Sequence, residues 1–96
     1  MAVHLTAVAE TWLPLVRRLA ANIREWRLSK DWSQARLALK AGISLRRVQQ
    51  IEAGGVDANP SLKVVHQLAR ALGTTAAELL GDEAPPTGRR RAPKAR

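Results

Sequence analysis

Apolar residues recur along most of this chain at intervals of three and four, and they rarely alternate with polar ones in the two-residue rhythm of a strand. Residues 3–13 place Leu5, Val8, Ala9 and Trp12 on one helical face. Pro14 then either starts a new helix at its first position or kinks a continuous one. Leu15, Val16, Leu19, Ala20, Ile23 and Trp26 form the next buried stripe, which ends near Ser29. Two short helices follow, Gln34 to Ala41 and Ser44 to Ala53, then a turn-rich loop from Gly54 to Pro60. Leu62, Val65, Leu68, Ala69 and Leu72 face inward from a helix that Gly73 ends. Thr75-Ala-Ala-Glu78 is a capping box that opens one last short helix, with Leu79 and Leu80 apolar and Gly81 as its stop. The pattern predicts an all-α fold with one core, and Trp32 plugging its top.

Residues 34–51, QARLALKAGISLRRVQQI, organise the rest. Ser33 and Ser44 are N-caps, because a hydroxyl can accept from a backbone N–H left unpaired in the first helical turn. Gly42 sits where a chain leaving a helix needs positive φ. Ala38 is small where two helices cross steeply, and Leu37, Ala41, Ile43, Val48 and Ile51 supply the surface they bury together. This is the spacing of a helix-turn-helix. Two charges interrupt the apolar stripes: Arg27 four residues after Ile23, and Glu52 four after Val48. Either alone would be costly to bury, whereas an Arg–carboxylate pair offsets that cost with directed hydrogen bonds. Arg27 and Glu52 are therefore expected to meet as a structural pair.

Composition narrows the classes. With 96 residues, 46% of them apolar, the chain allows one modest core, built without Phe or Tyr. Cysteine is absent, which removes disulfides and thiolate metal sites. No apolar run approaches a membrane span, and the amino terminus lacks a secretory pattern, so an intracellular, cytoplasmic and nucleoid-associated protein is expected. The net charge of +8 is concentrated at the end, where Arg89, Arg90, Arg91, Lys94 and Arg96 lie in the last eight positions. A polyanion is the expected partner; a merely solvated charge run is the alternative. The chain divides into an amphipathic extension (1–13), a helix-turn-helix domain (14–81) and a basic tail (82–96) whose Pro, Gly and Arg content predicts disorder. The extension either lids the core or joins a homodimer interface.

The outer face of the second motif helix carries Arg46, Gln49 and Gln50, with Leu45 at its leading edge. An α-helix fits the major groove of B-DNA. There Arg can pair with guanine, Gln with adenine, and Leu can touch a thymine methyl. An ordinary solvated polar face is the alternative. Arg47 points about 100° from Arg46 and suits a phosphate or solvent. Phosphate positioning is expected from Ser33 and Gln34 at the first motif helix's N-terminus. Arg36, the backbone at Gly54 and Gly55, Lys30 and Lys63 add to it. The tail arginines and Lys94 suit the DNA backbone or a minor groove. His4 and His66 are far apart without acidic companions, and no phosphate-cradling glycine loop or catalytic grouping occurs. No metal, cofactor or enzymatic activity is expected.

Residues 19–81 resemble the Cro/C1-type (XRE, lambda-repressor-like) helix-turn-helix family. The likeness runs through Leu19-xxx-Ile23-Arg24-xx-Arg27, Trp32-Ser33-Gln34, Leu37-Ala38-xx-Ala41-Gly42-Ile43-Ser44, Val48-xx-Ile51-Glu52-x-Gly54, Asn59-Pro60-Ser61-Leu62 and Leu68-Ala69-xx-Leu72-Gly73. It implies a five-helix bundle, usually dimeric, that lays its second motif helix in the major groove of operator DNA. It also implies DNA contacts by Gln34 and by Ser44, Leu45, Arg46 and Gln50, and a family counterpart of the Arg27–Glu52 pair. The loop after Glu52 is longer than the family's common form. The function expected is a sequence-specific transcriptional regulator, a repressor, binding an inverted repeat as a homodimer. The alternatives are an antitoxin that regulates its own operon and binds a toxin, or a nucleoid or recombination accessory protein.

Overall fold

Capping chemistry sets where the helices after the first begin in the computed structural model. The structure describes residues 2–81, with side chains described from Trp12 onward and Asp57 excepted. The α-helices are α1 (Ala2–Ser29), α2 (Gln34–Ala41), α3 (Leu45–Ala53), α4 (Leu62–Leu72) and α5 (Ala76–Leu80), with a 3-10 turn at Val56–Ala58. Before α2, α3, α4 and α5 stand Ser33, Ser44, Ser61 and Thr75. Their hydroxyls accept from the N–H of Arg36, Arg47, Val64 and Glu78, at 3.0 to 3.1 Å. Each cap satisfies one of the donors that a helix start leaves unpaired.

Helix ends are equally local. Gly42, at φ 75, turns the chain out of α2 while its N–H donates to Ala38 O. α1 ends differently, with Asp31 in the left-handed region at φ 59 and its N–H donating to Leu28 O at 2.9 Å. α1 also runs through Pro14 as one element, so residues 2–13 are its leading half and not a separate helix. The proline removes one intrahelical N–H donor and crowds the preceding turn, yet the helix continues through it, with Pro14 itself exposed.

The core is where the trailing half of α1 meets the other four helices. Ile23, Trp26, Leu37, Val48, Ile51, Leu68, Leu72 and Leu79 are its largest fully buried side chains among the described residues. α1 packs on α3 and α5, and α2 packs on α3 and α4. Two apolar residues expected inside are not. Leu15 is 38% exposed and Leu62 is 78% exposed, both at the rim of the packed core. Trp32 is half-buried against the core's edge, with the ammonium groups of Lys30 and Lys40 5.4 and 5.9 Å from its ring centroid.

One buried polar residue ties the ends of the domain together. Asn22 is 2% exposed, and its Nδ2 donates to Leu79 O at 2.8 Å and to Gly81 O at 3.3 Å. It thereby takes up carbonyls that the short α5 leaves open. No helix among the described residues is long and apolar enough to cross a membrane.

Candidate nucleic-acid interface

Gly42 and Ile43 set α3 across α2, and the inner side of α3 buries Val48 and Ile51. Its inner end is held by a hydrogen-bonded network. Arg27 Nε donates to Glu52 Oε2 at 2.7 Å, and Arg27 Nη2 donates to Glu52 Oε1 at 3.0 Å. The third donor of the guanidinium, Nη1, reaches Trp32 O at 2.8 Å. Glu52 Oε1 also accepts from Gln34 Nε2 at 3.0 Å. The Arg27 and Glu52 side chains are 10% and 4% exposed, so α1, the α1–α2 loop, the first residue of α2 and the end of α3 are locked through one nearly dry fork. Such paired, hydrogen-bonded charge is tolerable inside a protein, whereas either half alone is not.

The other side of α3 is open. Ser44 at the N-cap, Leu45 and Arg46 in the first turn, and Gln49 one turn on are exposed along this nine-residue helix. An α-helix with side chains is about 10–12 Å across, which suits the major groove at about 12 Å wide. Gln50 and Arg47 are half-buried and linked: Arg47 Nη1 donates to Gln50 Oε1 at 3.2 Å, and Nη2 donates to Asn59 O at 3.0 Å. Arg47 thus straps α3 to the approach of α4, and Gln50 keeps its amide N–H groups for another acceptor.

Several residues expected to meet phosphate line the same region, with one correction. Ser33 and Arg36 are exposed at the start of α2, and the Ser33 hydroxyl, already an acceptor, retains its proton for donation. Gln34 is half-buried and shares Glu52 with Arg27. Gly55 is exposed, but Gly54 is not available. At φ 73 it caps α3, its N–H donates to Ile51 O at 3.1 Å, and it is buried against Ala20 and Arg17. The left-handed backbone at φ 73 is what requires glycine there, since an added Cβ would meet that of Ala20 at an ordinary 3.4 Å. Lys30 lies over the Trp32 ring and Lys63 is exposed near the start of α4. Arg89, Arg90, Arg91, Lys94 and Arg96 lie outside the described residues.

The structure adds two arginines that the sequence reading passed over. Arg17 and Arg24 rim a cavity of about 190 Å³ with Ala20, Ala21, Glu52, Ala53 and Gly54. They are seven residues apart, two turns of one helix face, and that spacing was the available signal. Their significance depends on α3 ending beside them.

A capped, exposed, polar helix elbowed against a supporting helix and locked from behind is the working part of a helix-turn-helix DNA-binding protein. Comparison with known families agrees: the model described as Helix-turn-helix matches residues 23–79. The chain belongs to this Cro/C1-type (XRE) helix-turn-helix family. A solved structure titled a hypothetical transcription factor NHTF, from Neisseria, is 35% identical. The match covers 81% of this chain and 84% of that one, with a TM-score of 0.66. No curated protein matches.

Proposed function

We propose that this protein is a transcriptional regulator, a repressor, that binds an inverted-repeat operator as a homodimer and reads it with the open side of α3. The observation that carries this reading is the contrast across that helix. Arg46, Gln49 and Leu45 are free and exposed, while the opposite side is fixed by the Arg27–Glu52–Gln34 network. Arg46 and Gln49 are the bidentate partners for guanine and adenine edges, Gln50 supports them, and Leu45 suits a thymine methyl. Ser44 adds a hydroxyl donor at the leading end. Around them Ser33, Gln34, Arg36, Arg17 and Arg24 meet phosphates and set the register, with Lys63, Gly55 and the basic tail adding charge. The relative's title, a hypothetical transcription factor, supports the same assignment.

The test is selection of bound sites from random double-stranded DNA, followed by sequencing. The expected outcome is a two-fold symmetric consensus whose half-sites lie about 10 bp apart, one turn of DNA. A pool that stays random after repeated selection would overturn specific readout and leave a charge-driven DNA binder. On the selected site, deleting residues 88–96 flattens the slope of log K against log salt; an unchanged slope would remove the tail from the interface.

A further inference from the structure

We propose that two copies of this chain pair through the leading half of α1 and the apolar groove it forms with the start of α4. The inference rests on the homodimer reading above and names its surface. It begins with register. Leu5, Val8, Trp12, Leu15, Leu19, Asn22 and Trp26 fall at alternating steps of three and four along α1, the seam spacing of a coiled coil. The rear of that seam is used within the chain: Leu19, Asn22 and Trp26 are buried, and Asn22 is tied to the end of α5. Ahead of them the seam is less sealed, with Leu15 38% exposed and Trp12 only half-buried. A 28-residue helix is about 42 Å long, and the seam spacing runs along most of it.

The less sealed part adjoins a groove. Trp12, Leu15, Leu19, Pro60, Leu62 and Leu80 surround a cavity of about 150 Å³. A cavity near this size accepts a benzene ring, so an aliphatic side chain fits. Beside it Leu62 stands 78% exposed. The patch therefore offers both a projecting side chain and a cavity to receive one, as a self-complementary two-fold contact needs.

Charge selects the occupant. No ionisable side chain lines the groove, while the chain carries +8. Two such chains repel over their basic surfaces and can approach closely only where charge is absent. A partner recruited by the basic charge would instead seek Arg and Lys, which this patch lacks.

Position fits as well. Asn59, which lines the groove, is the residue whose carbonyl holds Arg47 of α3. A two-fold axis through the groove thus places one reading helix on each side of it. A standard interface covers about 800 Å² per partner, so the proposed contact extends from the groove along the leading turns of α1.

The test is the mass of the full chain across a concentration series, by sedimentation equilibrium. The wild type, Leu15→Glu with Leu62→Glu, Leu39→Glu as a charged control on α2, and a chain lacking residues 82–96 are compared, with helical circular dichroism confirming folding. The wild type, Leu39→Glu and the truncated chain are expected to be dimers. The double variant is expected to fold but dissociate at least about 100-fold more readily, while still binding an isolated half-site. A double variant that remains dimeric overturns this surface and leaves the homodimer reading standing. A wild type that is monomeric both free and on its selected site overturns both. Dissociation by Leu39→Glu to the same degree would show a general charge effect and overturn the seam. Loss of the dimer only on removing 82–96 would assign the contact to that segment instead.

Discussion

The two sides of α3 are built from the same nine residues and do opposite things. On the inner side Val48 and Ile51 are sealed in the core, and Glu52 accepts three hydrogen bonds from Arg27 and Gln34. On the outer side Leu45, Arg46 and Gln49 meet solvent. A helix this short has little stability of its own, since isolated helices under about 12–15 residues are marginal in water. Its fixed orientation comes from the inner side and its chemistry from the outer. Changes inside should therefore alter folding, and changes outside should alter which DNA is bound.

The strongest way to break that division is Glu52→Ala. It leaves the Arg27 guanidinium buried without its carboxylate and should lower stability by about 3–5 kcal/mol in urea denaturation. Replacing both partners, as Arg27→Met with Glu52→Met, should recover most of the loss, because the penalty lies in the unpaired charge. A loss under about 1 kcal/mol for Glu52→Ala would mean that the fork does not hold α3. Ile51→Ala empties part of the core and should cost about 2–5 kcal/mol, read from the same denaturation midpoint. Its remaining folded fraction should prefer the same bases as the wild type.

Smaller effects sharpen the comparison. Gly42→Ala puts a Cβ on a residue at φ 75, with an expected cost of about 1–2 kcal/mol. The space around it is open, with only Gln67 Nε2 at 3.9 Å, so strain of the backbone and not a clash is what thermal melting would report. Gln49→Ala should change stability by no more than about 0.5 kcal/mol, as for other exposed positions. A larger shift would place Gln49 in the fold's support.

The motif itself was legible because its signals are local. Ser33, Ser44, Ser61 and Thr75 each cap a helix through a contact three residues away, and Gly42 exits α2 by its own φ. The meeting of Arg27 and Glu52 was legible for another reason: each charge stands where its helix's periodicity calls for an apolar residue, and each needs a counter-charge. Leu15 and Leu62 were misplaced because periodicity shows which way a side chain faces but not whether anything lies opposite it. Gly54 was read as an open loop donor because its burial depends on Ala20 and Arg17 from another helix. The same holds for Arg47 and Asn59, and for Asn22, whose acceptor at Leu79 is 57 residues away.

The division between the two sides of α3 is tested most directly by measuring Arg46→Ala binding to the selected site and to each of its single base-pair variants. Discrimination should drop by about 1–3 kcal/mol at one symmetric pair of positions and stay unchanged at the others, with the melting temperature unmoved. Equal weakening at every position, or a variant as selective as the wild type, would mean that the open side of α3 does not read bases.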